Sequence, residues 1–194
     1  MMKEKVLVCV SGGCDSVTAM YEAVADLGPG NVAAINFDYQ AAHNSCELSF
    51  ARIHQLRLGV KFRTVNLDAM GGLTKKDLVV PLRNAEFLIR AARMAVEIGA
   101  ESVIIGCNKD DADYPFPDCS KKFISAMNRV VEESGYDVEI IAPYIDKRKW
   151  EIMAIAREHG IPISELWSCY RPKNGAQCGK CPACLKLKSA IEHP

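Results

Sequence analysis

The chain has 194 residues, about half of them hydrophobic, which suits one compact α/β domain or such a domain with a small appendage. Its 24 Lys and Arg balance its 24 Asp and Glu, so there is no global basic field for nucleic acid, although a local patch stays compatible. No apolar run is long enough to span a membrane and the N-terminal MMKEKVLVCV is too short for a signal peptide, so a cytoplasmic setting is expected.

Strand-like runs alternate with amphipathic helical patterns. In chain order the pattern predicts a strand over Lys5–Val10, a helix over Asp15–Leu27, a strand over Asn31–Phe37 and a helix over Ser45–Leu58. It continues with a strand over Lys61–Leu67, a helix over Ala85–Ile98, a strand over Ser102–Cys107 and a helix over Lys121–Glu133. A strand over Val138–Pro143 and a helix over Lys147–His159 complete the series. Asn84 is placed to cap the helix after it, and Gly99 and Gly160 suit helix C-termini. β-Branched runs without alternation are strands buried on both faces. The expected fold is therefore α/β: a doubly wound parallel sheet of five strands with right-handed crossovers, binding ligands at the carboxyl ends of its strands.

From about Ser164 the composition changes to Cys, Lys, Pro and Gly without a strand signal. The expected division is an α/β domain over residues 1–163 and a small C-terminal zinc-binding appendage over 164–194, ending in a short helix over Cys184–Ile191.

Two patterns carry chemistry. The first strand runs straight into Ser11-Gly12-Gly13-Cys14-Asp15-Ser16 and then a helix. Unpaired N–H groups at a helix start, the helix dipole and two glycines make an anion cradle. Asp15 orients the loop, caps the helix or holds Mg²⁺ there. Cys14, at a helix start, is a site where a thiol pKa can fall. The second pattern is Cys169, Cys178, Cys181 and Cys184, crowded into sixteen residues of a chain with nine cysteines. Four thiolates suit a closed tetrahedral zinc site of structural type, with an iron–sulfur cluster as the rival. Lys173, Lys180, Lys186 and Lys188 would offset the negative charge of such a centre. The other cysteines read as small core hydrophobes. His43, His54, His159 and His193 show no metal spacing, and His54 and His159 are expected on partly exposed helices.

The hexapeptide resembles the PP-loop of the ATP-pyrophosphatase superfamily, whose fold is adenine nucleotide alpha hydrolase-like. Within it, the chain resembles the 7-cyano-7-deazaguanine synthase, or QueC, family. Phe37-Asp38-Tyr39-Gln40 is similar to F-D-Y-G-Q with the Gly missing, and Val80-Pro81-Leu82-Arg83-Asn84 to V-P-x-R-N. Gly106 through Cys119 is similar to G-x-N-x-x-D…Y-P-D-C, widened at Tyr114-Pro115-Phe116. Lys149 and Glu151 fall on T-K-x-E, with Arg148 for the Thr. Trp167-Ser168-Cys169-Tyr170 and Cys178-Gly179-x-Cys181-x-x-Cys184 match W-S-C-Y…C-G-x-C-x-x-C.

The resemblance implies ATP bound at Val10, Ser11, Gly12, Gly13, Cys14, Asp15, Ser16 and Val17, with Asp15, Ser16 and Lys149 catalytic, Mg²⁺ accompanying ATP and zinc on the four cysteines. Lys149 would balance phosphate charge, or is a solvated helix lysine. Tyr39, Gln40, Arg83, Asn84, Asn108 and Asp118 would bind the acceptor. Asp118 would take the guanine-like donor edge, or is a loop aspartate; Asp110 is a weaker candidate. Tyr39, Trp167 and Tyr170 would stack on a flat substrate, or pack. The implied reaction joins ATP, ammonia and 7-carboxy-7-deazaguanine to give 7-cyano-7-deazaguanine on the route to queuosine or archaeosine, with no nucleic acid or membrane required. A homodimer is consistent with the same resemblance. A PP-loop ligase that stops at the amide or uses another amine, a tRNA-thiolating PP-loop enzyme, and a non-catalytic zinc-stapled binding module are the competing readings.

Overall fold

The structure, a computed structural model, describes residues 4–67, 80–113 and 116–193. Tyr114 and Pro115, in the widened stretch, lie outside the described residues. Five parallel strands form one sheet: β1 (Val6–Cys9), β2 (Val32–Asp38), β3 (Lys61–Asn66), β4 (Ser102–Ile104) and β5 (Glu139–Ile141). The helices among the described residues are α1 (Cys14–Leu27), α2 (Asn44–Leu58), α3 (Arg83–Ile98), α4 (Lys109–Asp113), α5 (Lys121–Glu133), α6 (Lys149–Glu158) and α7 (Pro182–Glu192). The spatial order is β3-β2-β1-β4-β5, so the chain reverses direction across the sheet between β1 and β4.

The period-two register of β1 explains the layering. Val6, Val8 and Val10 face one core with α1, α6 and α7, whereas Leu7 and Cys9 face the other with α3 and α5. Both faces are buried, as the unbroken apolar runs require; a fully enclosed Leu7 alone is worth roughly 1.5–3 kcal/mol. Leu187 and Ala190 of α7 join the first core, and a third, smaller cluster gathers Trp167, Cys169, Cys181 and Cys184.

The predicted strands and long helices are all present, and Gly99 terminates α3 in a left-handed turn. Three local expectations need correction. Asn84 does not cap a following helix: α3 begins at Arg83, its N-cap is Leu82 at φ 59°, and Asn84 is buried in the first turn. There its side chain donates to the Asp118 carbonyl at 3.4 Å and the Cys119 thiol at 3.6 Å. His54 is fully buried, its ring between the Tyr21 hydroxyl at 3.2 Å and the Glu165 carbonyl at 2.9 Å. Lys186 and Lys188 do not serve the cysteines; Lys186 pairs with Asp111 at 2.7 Å and Lys188 with Glu192 at 3.8 Å.

Candidate active site

The reversal between β1 and β4 opens a crevice at the carboxyl ends of the strands, where doubly wound sheets bind ligands. Ser11–Ser16 lies at that point. Gly13 is the N-cap of α1, and no side chain caps the helix, which leaves its first-turn N–H groups without a capping partner at the crevice, the arrangement that suits an anion. The loop is shaped by its own hydroxyls: Ser16 Oγ accepts from Ser11 N at 3.1 Å and donates to the Gly13 carbonyl at 3.2 Å. Gly12 has φ 79°, and a Cβ there would stand 2.7 Å from the Glu47 carbonyl, so only glycine lets α2 pack on the loop.

The loop's acid is not left facing phosphate. Lys149, at the start of α6, places Nζ 2.8 Å from both carboxylate oxygens of Asp15. Burial opposes the ammonium charge, but the Asp15 carboxylate overrides it and raises the Lys149 pKa above the ordinary lysine value. Asn108 donates to Asp15 Oδ2 at 2.8 Å and to Asp111 Oδ2 at 2.7 Å. Lys186, from α7, closes the chain on the other side of Asp111. Asp110 accepts from Lys149 N at 2.8 Å and pairs with Arg148 at 2.7 Å, which fixes the start of α6.

Ser11, Ser16, Asp15, Asp111, Lys149 and Lys186 line one cavity of about 400 Å³, large enough for drug-sized ligands. Its other wall carries Tyr39, His43, Glu47, Arg83, Phe87 and Tyr170. The Arg83 guanidinium lies over the Tyr39 ring, 5.4 Å from its centroid, and donates to its hydroxyl at 3.3 Å. Burial, with Arg83 beside it, pushes the His43 imidazole down to about 4, so this ring is neutral near pH 7. Burial likewise pushes the Glu47 carboxyl up to about 8, against the pull of Arg83.

The four C-terminal cysteines converge. Their sulfurs all lie within 4.8 Å of one another, with Cys178 and Cys184 4.0 Å apart. Four sulfurs about 2.3 Å from a common tetrahedral centre stand roughly 3.8 Å apart, so the set fits a metal ion. Backbone N–H groups of Arg171 and Cys178 point at Cys169 Sγ from 3.3 and 3.2 Å, the donors that thiolates need. The cysteine segment is tied to the loop: Trp167 N donates to the Gly12 carbonyl at 2.8 Å.

The family described as "Queuosine biosynthesis protein QueC" matches residues 5–79 and 74–193. The chain belongs to the QueC family. Among QueC relatives, the 7-cyano-7-deazaguanine synthase of Porphyromonas gingivalis (strain ATCC 33277) is 38% identical, covering 98% of this chain and 94% of that protein. The 7-cyano-7-deazaguanine synthase of Leptospira interrogans (strain Fiocruz L1-130) is 32% identical over 97% of this chain and 86% of its own length. Two solved structures share the fold. The U34-tRNA thiolase NcsA of Methanococcus maripaludis, with its [4Fe-4S] cluster, has a TM-score of 0.60 at 17% identity, covering 97% of this chain and 64% of that one. The NMN synthetase of Francisella tularensis has a TM-score of 0.60 at 18% identity, covering 93% and 71%.

Within this QueC fold the sequence-marked residues separate into three groups. Val10, Ser11, Gly13, Asp15, Ser16, Tyr39, Arg83, Asn84 and Lys149 line the cavity. Gly12 turns into α2, Cys14 and Val17 point into the core, and Asn108 lies behind Asp15. Gln40 and Asp118 are not on the wall; Asp118 bears on it through its carbonyl bond to Asn84 and through its charge, which acts on Arg83. Burial pushes the Cys14 thiol up to about 11, with Lys149 pulling against it, the reverse of the fall that a helix start can cause. Trp167 packs on Phe50 and donates to the Cys169 carbonyl at 3.0 Å. Composition and periodicity gave no sign of His43, Glu47, Phe87 or a cavity-facing Lys186, and Asp111 was marked only as the Asp of G-x-N-x-x-D. Only the helical spacing of His43 and Glu47, one turn apart, hinted that they share a face.

QueC geometry also depends on Gly106, just past β4. A Cβ there would stand 2.9 Å from Ser16 N and 3.1 Å from Asp15 Cβ, both parts of a packed helix start. Gly106→Ala is expected to weaken ATP binding at least tenfold while costing about 1–3 kcal/mol of stability. Calorimetric titration and thermal melting of the variant check both.

Proposed function

We propose that this chain converts 7-carboxy-7-deazaguanine and ammonia to 7-cyano-7-deazaguanine at the expense of ATP. QueC-family membership supports the reaction. The carrying structural observation is the Asp15–Lys149 pair at the mouth of the Ser11–Ser16 loop, facing an aromatic-walled cavity. Together these support a phosphate cradle and a flat acceptor site in one crevice.

A carboxylate is a poor electrophile with a poor leaving group. In the first step a carboxylate oxygen attacks the α-phosphorus of ATP, pyrophosphate leaves, and the acceptor becomes an acyl adenylate. Ammonia then adds at the carbonyl carbon, AMP departs and a proton is lost, giving the amide. The amide oxygen then attacks the α-phosphorus of a second ATP with release of a second pyrophosphate and a proton, and loss of AMP and a proton from the adenylated amide leaves the nitrile.

The chain's part is positioning and charge balance. Backbone N–H groups of Gly13–Ser16 and the Ser11 hydroxyl hold the departing pyrophosphate. Lys149 balances its charge, and Asp15 with Asn108 keeps the ammonium aimed at the loop. Tyr39, Phe87, Tyr170 and Arg83 enclose the acceptor's ring system. Magnesium bound with ATP supplies further charge neutralisation. Zinc on Cys169, Cys178, Cys181 and Cys184 is a structural staple, because a four-thiolate shell leaves no open position.

Mass spectrometry of products formed with ATP, Mg²⁺, ammonium and 7-carboxy-7-deazaguanine is expected to show the nitrile with AMP and pyrophosphate. ADP and phosphate in their place, or turnover confined to unmodified tRNA, contradicts the reading.

A further inference from the structure

Three carboxylates line the cavity: Asp15, Asp111 and Glu47. The first two are neutralised by ammonium groups, Lys149 at 2.8 Å and Lys186 at 2.7 Å. Glu47 differs. Its Oε2 accepts a hydrogen bond from the neutral Asn44 amide at 3.2 Å. Its Oε1 stands 3.7 Å from His43 Nε2, beyond bonding range, and that nitrogen is already engaged by the Tyr39 hydroxyl at 2.9 Å. Among the described residues no donor completes Oε1. The side chain is 18% exposed, and that remaining exposure opens into the cavity. A largely buried carboxyl oxygen that lacks a protein donor and opens on the cavity is placed to accept from a ligand.

Arg83 is the second half of the pattern. Its guanidinium sits over Tyr39 and Phe87 and acts electrostatically on Glu47. A cation and a carboxylate on one aromatic-walled recess offer donors beside acceptors. The complementary edge is a carbonyl next to a ring N–H and an amino group, the edge a guanine-type base presents. Adenine lacks it: it has a single exocyclic donor next to an unprotonated ring nitrogen. Asp118, the carboxylate the sequence offered for this task, is off the cavity wall.

We propose that Glu47 is the specificity-determining residue of the acceptor site, its carboxylate taking the ring N–H and 2-amino group of a 2-amino-4-oxo deazapurine while Arg83 donates to the neighbouring carbonyl. This rests on the proposed function and names how its substrate is chosen. Two incoming donors favour the charged carboxylate over the neutral form that burial favours in the free protein, so substrate uptake releases a proton from Glu47.

The test compares 7-carboxy-7-deazaguanine with its analogue lacking the 2-amino group, in the wild-type chain and in Glu47→Gln, with ATP and metal at fixed levels. Wild type is expected to prefer the amino substrate by at least about thirtyfold in kcat/KM, because an unpaired buried acceptor rejects the analogue. In Glu47→Gln that preference is expected to fall to within about threefold, with the rise in KM confined to the base and the KM for ATP unchanged. Glutamine is neutral and of equal size, so the variant is expected to fold, and a melt taken alongside verifies it. An undiminished preference in the variant overturns the proposal, as does a defect that appears in the ATP KM. Absence of nitrile from wild type with the amino substrate instead sinks the functional reading, so the two failures are distinguishable.

Discussion

Lys149→Met is expected to lower turnover by a factor on the order of 10²–10³ and to cost about 3–5 kcal/mol of stability. Both effects follow from one geometry. The two side chains are nearly enclosed, at 14% and 10% exposure, and Nζ bridges both Asp15 oxygens. Removing the ammonium leaves a carboxylate with one amide donor from Asn108 inside a low-dielectric crevice. It also removes the cation that balances pyrophosphate as it departs. Asp15→Ala is expected to destabilise by a similar amount, because it strands the ammonium instead. The double variant separates the two roles. Its stability should recover relative to the sum of the singles, with a coupling of about 2–3 kcal/mol, whereas its turnover should stay at the level of the worse single. Denaturant melts of all four proteins, with single-turnover assays of AMP formation, check this. Additive losses of stability would mean that the pair does not interact as the distances require.

Cys181→Ser, or stripping the metal with a chelator, is expected to lower the melting temperature by more than 10 °C. At about 2–4 °C per kcal/mol for a chain of this size, that corresponds to roughly 3–5 kcal/mol. The loss should not stay local. Trp167 N holds the Gly12 carbonyl, Ser168 and Ala183 line the cavity, and Lys186 reaches Asp111 from the helix that follows Cys181. ATP affinity is therefore expected to fall together with metal content. Metal analysis and calorimetry on the same samples test the coupling, and the visible absorption of an iron–sulfur cluster would identify the rival centre. A variant that stays folded, metal-free and able to bind ATP contradicts the structural-staple reading.

The sequence made the fold legible wherever signals are local. Apolar runs marked the strands, although β3 (Lys61–Asn66), at the sheet edge, stays half-exposed or exposed and is not buried on both faces as expected; the strand–glycine–helix order marked the Ser11–Ser16 loop. The clustered cysteines were legible because their convergence needs only sixteen residues. What escaped depends on distant partners. Asp15 and Lys149 are 134 positions apart, and only the sheet brings them together. His54 read as a half-exposed helix residue, yet Tyr21 and the Glu165 carbonyl, 33 and 111 positions away, satisfy its ring in the core. Glu47 carried no signal within its helix; the packing of α2 on Gly12 turns it into the crevice. α4 gave no signal because Lys-Asp-Asp-Ala-Asp is short and polar, and its start is fixed by Asn108 Oδ1 accepting from Asp111 N at 3.0 Å. Asn84 was misplaced because α3 starts from Leu82 in a left-handed conformation, a position for which leucine carries no preference.

The most direct measurement is a crystal structure of the metal-replete protein with an ATP analogue whose α–β bridging oxygen is replaced by methylene. The β- and γ-phosphates should lie against the Gly13–Ser16 amides, with Lys149 Nζ within hydrogen-bonding distance of a phosphate oxygen. Phosphate density elsewhere, with Ser11–Ser16 untouched and Lys149 still closed on Asp15, would contradict the account.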